Sequence, residues 1–199
     1  MPYIKQDDRE KFTNSVKEVL GVLGDPNDNL YVKGEYFGFF ATRFVKKFLS
    51  DPTYTNQAFN SSYFNLSKSK TLSNAADSMS AMINRTDPIA GAGELNYVLS
   101  VIYWGFLGES KDFSKASYGV RAYIDGMFDK ICSSIETVNT GSQKDMTMAF
   151  RRHIVIRGVL RHVQAEGYRR LDVPYEDSKI AENGDIWVDG EINAWLEFF

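Results

Sequence analysis

Along most of the chain apolar residues recur at the three-to-four spacing of amphipathic helices, and the breaks between them are short polar runs rich in Gly, Pro, Asn and Ser. Asp7, followed three positions later by Glu10, makes a capping box ahead of a first helix whose inner face is Phe12, Val16, Val19, Leu20 and Leu23. The run GDPNDN ends it, and a second periodic segment covers residues 30–49. Periodicity then lapses over 50–71, where Ser, Thr and Asn dominate; this reads as a long loop, or a short hairpin at best. Further helices are expected over LSNAADSMSAMINR (72–85), over GELNYVLSVIYWGFLG (93–108), and over 117–138 with Val120, Tyr123, Ile124, Met127, Phe128, Ile131 and Ile135 inward. The last and longest helix is expected over 143–171, stopped by Pro174.

These elements predict a mainly α protein, a bundle of about five to six helices in a single domain spanning residues 1–199. Residues 172–199 are expected to form a C-terminal tail packed on the core, with an Asn183-Gly184 turn and a short β-hairpin around Asp189-Gly190, or else an extended segment.

Two helices refine this picture. In the segment 30–49, Tyr36, Phe37, Phe39, Phe40, Phe44 and Phe48 cannot share one stripe. That helix therefore sits deep in the core, the preferred reading, or offers a face to another chain; Gly34 and Gly38, one turn apart, would let a neighbouring helix approach closely. In the last helix Ala149, Ile156, Leu160, Val163, Gly167 and Leu171 fall on one stripe. His153 beside that stripe reads as a packed histidine, and His162, near Glu166 and Arg169 on the far side, as a solvated one.

The arginines of the last helix do not make the contiguous basic strip with interleaved aromatics that a nucleic-acid reader needs. Arg157 and Arg161, at i and i+4, form one small patch and Arg169 with Arg170 another. Planar guanidinium donors suit a phosphate, so these four are the candidate anion-binding residues, set against the plainer reading of a solvated face paired with acids. The formal charge of −3 also argues against nucleic acid as the main partner. At 199 residues, with 43% hydrophobic and 14% aromatic content, the chain has enough apolar material for a real core.

One cysteine, Cys132, can make no internal disulfide, and no leader-like segment opens the chain, so it is expected not to be secreted. The apolar runs fall short of the roughly 20 residues a membrane span needs. The sequons at Asn60, Asn65 and Asn84 are then incidental.

Two histidines and one cysteine lack zinc-ligand spacing, and no phosphate-binding loop, nucleophile elbow or paired-histidine metalloprotease motif occurs. Gly91 and Gly93 lack the third glycine and preceding strand of a dinucleotide turn; Glu94 is more simply an early-turn acid facing a helix N-terminus. No cofactor and no metal site is expected. The acids Glu176, Asp177, Glu182 and Asp185 have oxygen ligands for a hard cation, but not at calcium-loop spacing.

Several blocks, PYIKQDDR (2–9), GELNY (93–97), YRR (168–170), PYED (174–177), KI (179–180) and ENGD (182–185), resemble those of a small family of uncharacterised proteins from tailed bacteriophages and bacteria. The resemblance covers about a quarter of the chain; it implies a phage or phage-derived origin and an α-helical core, and identifies no reaction. The aromatic helix, the loop and the helix over 117–138 look like additions to a smaller family core. Read together, the blocks suggest a structural clamp in which Glu94, Glu166, Tyr168, Arg169, Arg170, Tyr175, Glu176 and Asp177 meet.

Three functions are then open. The leading one is a non-enzymatic, phage-encoded interaction protein that binds a host factor or forms part of the virion, acts in the host cytoplasm or the virion, and self-associates through the aromatic helix and the terminal INAWLEFF. The second is a binder or sponge for a small phosphate-bearing ligand, a nucleotide or cyclic nucleotide, and the third an enzyme using the carboxylates Glu176 and Asp177.

Overall fold

The computed structural model of the chain describes residues 9–49, 65–83, 91–108, 113–136 and 143–183, the side chains of 134–153 and of 183 excepted. It is mainly helical, with no strand among the described residues. The helices are α1 (Thr13–Leu23), α2 (Leu30–Leu49), α3 (Leu66–Met82), α4 (Ala92–Leu107), α5 (Lys115–Glu136), α6 (Gln143–Gly167) and α7 (Val173–Asn183), with a π-helical turn (Tyr168–Asp172) joining α6 to α7. The expected capping Asp7, the residues 50–64, the hairpin at Asp189-Gly190 and the INAWLEFF segment lie outside the described residues.

At the centre stands α2, touched by α1, α3, α4 and α5, and this is why its aromatics run all round the helix. Tyr36, Phe37, Phe40 and Phe44 are at most 1% exposed, and Phe39 and Phe48 are also buried. Phe37 alone meets Tyr103, Phe106 and Phe128 at ring separations of 5.6, 5.2 and 6.0 Å, tying α2 to α4 and α5. Full burial stabilises each such ring by about 1.5–3 kcal/mol. The close neighbour that Gly34 and Gly38 admit is α5: a Cβ at Gly34 would lie 3.0 Å from Val120, and one at Gly38 2.3 Å from the tip of Met127. The aromatic helix is thus a core element, which removes it as a ground for self-association.

The expected loop over 50–71 is shortened from its C-terminal end, because α3 starts at Leu66 rather than at 72. Asn65 caps it, its Oδ1 accepting from the N–H groups of Ser67 and Lys68 at 2.9 and 3.3 Å. Lys68 in that first turn pairs with Asp25 and Asp28 of the α1–α2 turn, each at 2.6 Å, and the Tyr36 hydroxyl accepts the Asn65 N–H at 2.9 Å. The polar composition that reads as loop is therefore that of an exposed helix start, pinned to a neighbouring turn.

A second correction concerns the C-terminus: the chain does not leave the helix at Leu171. Pro174 has no N–H to give and, in an unbroken α-helix, its ring would press on the carbonyl four residues back. The π turn relieves this. Val173 N–H donates to Tyr168 O, five residues back, and α7 then continues to Asn183. The stretch 173–183 of the expected tail is therefore helix.

Side-chain directions largely follow the periodicity. Ile156, Leu160, Val163 and Gly167 are buried on α6 and Leu171 on the π turn, while Ala149 and His153 lie among the side chains not described. Two differ. Tyr123, expected inward, is 40% exposed, because its ring lies across the small Gly34 rather than inserting beneath α2. His162, expected to be solvated, is half-buried with its Nε2 enclosed, because α6 packs against both α4 and α5 and the covered arc is wider than one stripe.

Candidate functional site

The polar centre of the structure lies where α4, α5 and the π turn converge. On α5, Arg121 and Asp125 are one turn apart and paired, Nη1 to Oδ2, at 2.8 Å. The π turn adds Asp172, whose Oδ2 stands 2.6 Å from Arg121 Nε. That contact is close but off the axis of a hydrogen bond, so both atoms remain without a well-directed partner. Because the turn carries one residue more than an α turn, Leu171 and Asp172 both face inward, 3% and 0% exposed. From α4, the fully buried Tyr103 brings a hydroxyl that lies against Arg121 without a well-directed hydrogen bond, and Asp125 Oδ1 has none either.

Electrostatics follow from this burial. Asp172 is pushed up to about 6, first by desolvation, with the Arg121 charge opposing and Glu176 and Asp125 adding to the rise. The Asp125 carboxyl is also raised by burial against the pull of Arg121. The Tyr103 phenol is pushed well above its usual range, chiefly by burial and then by the Asp125 charge. Gln164 of α6 donates to the backbone carbonyl of Asp125 at 3.3 Å, and the rings of Tyr118 and Tyr168 flank the Arg121 guanidinium at 5.8 and 5.9 Å.

Of the eight clamp residues, Glu166, Tyr168, Arg169 and Arg170 come together at the end of α6, with Tyr175 and Glu176 one turn beyond. Glu166 accepts from Arg169 Nη2 at 2.9 Å and from Arg170 Nε at 3.0 Å, and the first of these arginines leads in holding its carboxyl down at about 2. Arg170 also lies over the Trp104 ring at 4.4 Å, and Tyr175 packs edge-on to Phe113 at 5.7 Å. Glu176 and Asp177 are exposed. Glu94 stands apart, at the opposite end of α4 from Trp104, about 15 Å away at helical rise, where it is buried and ion-paired with Lys11.

Of the anion candidates, Arg161 pairs with Asp129 at 3.3 Å and Arg157 interacts with the Cys132 thiol. All four guanidiniums therefore already have partners. Among the described residues, no group of three or more His, Cys, Asp or Glu side chains is placed to hold a metal ion, and no helix is long and apolar enough to cross a membrane.

Sequence reasoning missed Tyr103, Arg121, Asp125 and Asp172. The one available signal was an aspartate between Leu171 and Val173 at the edge of an apolar stripe.

No curated protein and no solved structure matches the chain. Residues 125–186, less than half of the chain, match the family model of a domain of unknown function (DUF6899), a stretch that takes in Asp125, Glu166, Asp172 and α7 and leaves Tyr103 and Arg121 outside it.

Proposed function

We propose that the chain is a phage-encoded interaction protein without catalysis of its own, which engages a protein partner, in the first place a second copy of itself, through a tyrosine surface on α5. The observation that carries this reading is the gathering of four exposed tyrosines along one and a half turns of that helix. Tyr118 and Tyr123, 45% and 40% exposed, belong to α5 itself. Tyr31 of α2 sets its hydroxyl against Gly119, and Tyr168 of the π turn flanks Arg121 opposite Tyr118. Tyrosine and arginine are the side chains most enriched at the energetic centres of protein interfaces, where a large rigid ring and a polar tip are buried at little entropic cost. The resemblance of the sequence blocks to those of phage proteins supports the origin, and with it a place in the virion or the host cytoplasm. A phosphate-ligand role is less favoured, because a ligand would have to break the pairs that Glu166 and Asp129 make with the arginines.

The test is mass photometry and affinity capture of the full chain beside the double variant Tyr118→Ala/Tyr123→Ala. Association in the wild type, lost in the variant with unfolding unchanged, is the expected result. A wild type that stays monomeric at micromolar concentration, and captures the same proteins as the variant, would sink the reading.

A further inference from the structure

The centre around Asp172 carries more negative than positive charge and more acceptors than donors. Arg121 brings one positive charge and Asp125 and Asp172 two negative ones, with Glu176 close enough to add to the imbalance. Arg121 occupies one oxygen of each aspartate. The other oxygen of each is enclosed without a well-directed hydrogen bond, and so is the Tyr103 hydroxyl, which reaches the same charges from a different helix and lies against the Arg121 guanidinium. Buried carboxylate oxygens are compensated by a positive charge, a donor or a proton.

We propose that Tyr103, Asp125 and Asp172 form a binding site for one small monovalent cation, an alkali-metal ion or ammonium. The donor set is all oxygen, which suits hard cations and ammonium and does not select soft transition metals. The charge of the arginine and two aspartates is one unit negative, which a monovalent ion balances. The described residues offer no third His, Cys, Asp or Glu ligand of the kind a divalent cage needs. The π turn is what makes the site, since it turns Asp172 inward beside Leu171. The Asp125 side chain is about a quarter exposed. This inference does not depend on the interaction reading.

Thermal unfolding of the full chain at pH 8 tests it, in sodium, potassium, ammonium or tetramethylammonium chloride at equal ionic strength. At least one small cation is expected to raise the melting temperature by several degrees over tetramethylammonium, which is too large for the site, and the salt that does so identifies the ion. Asp172→Asn should abolish the cation dependence, and Tyr103→Phe, which removes one oxygen and no charge, should weaken it even if the aspartate variant fails to fold. Tyr123→Ala, on the α2 side of α5, should keep it. Equal melting temperatures in all four salts, or a cation response unchanged in Tyr103→Phe, would overturn the proposal.

Discussion

Gly167 lies against the ring of Tyr103 so closely that a Cβ there would stand 2.7 Å from Cε1. Tyr103 is fully buried and cannot swing away, so the α6–α4 contact depends on the missing methyl group. Gly167→Ala is expected to destabilise by up to about 2 kcal/mol, an overpacking cost of about 1–3 offset by about 1 of helix propensity. Gly158, on the same helix with nothing within 4 Å of its would-be Cβ, should behave oppositely: Gly158→Ala should stabilise by about 0.5–1 kcal/mol. Urea midpoints of the two variants decide; equal responses would mean that Tyr103 is not fixed by the backbone of α6.

Asn65 carries the start of α3 through two accepted N–H bonds, and its own N–H goes to Tyr36. Asn65→Ala should cost about 1 kcal/mol, and Asn65→Asp, which keeps the accepting oxygen, much less. Hydrogen exchange at residues 66–69 is the sharper readout, since faster exchange in the alanine variant should be confined to that first turn.

Arg43 of α2 is buried, and it grips Asp77 of α3 with Nε and Nη2 at 2.8 and 2.6 Å. Arg43→Ala removes both the pair and the packing of the long stem, for an expected loss of about 2–4 kcal/mol. Arg43→Met keeps the stem and removes the charge that needs a partner, so about 1 kcal/mol or less is expected, because Asp77 is more than a third exposed and can turn to water. Denaturant titration of the two variants gives the order; methionine costing as much as alanine would show that the ion pair itself does most of the stabilising.

Local rules account for what the sequence shows and what it hides. The aromatic run 30–49 is legible as a core helix because no single stripe can hold its rings, and the α6 stripe is legible because 3.6-residue periodicity persists to Leu171. The centre is hidden for three reasons. A π turn has no periodic signature, so Asp172, one step beyond Leu171, falls in the expected tail and not on the helix. Pro174 reads as a stop, because a proline usually ends a helix unless a widened turn precedes it. Arg121 and Asp125 show only an i,i+4 spacing in the sequence, and the packing of α4 and the π turn on α5 encloses them with Tyr103. The first turn of α3 was missed for a milder reason, its Ser-Lys-Ser-Lys composition being equally that of a loop.

The pH dependence of stability should be a dome with its top between about 4 and 4.5 when the only cation present is tetramethylammonium. The folded pKa of Asp172, about 6, lies above its ordinary 3.8, so the folded state holds the extra proton and stability falls as the pH rises through that interval. The shift corresponds to on the order of 3 kcal/mol as an upper figure. On the acid side the signs reverse. Glu166, held at about 2 against an ordinary 4.5 chiefly by Arg169, and Asp25, held at about 2 chiefly by Lys68, stabilise above their unfolded values, and that stability is lost as the pH falls towards 2. Asp172→Asn should therefore flatten the high-pH limb and leave the acid limb in place, whereas Glu166→Gln should do the reverse. Urea unfolding free energies at half-unit steps from pH 3 to 8 separate the two limbs; a wild type with no decline between pH 4.5 and 7 would mean that Asp172 is ionised in the folded protein throughout, with Arg121 alone sufficient to hold its charge.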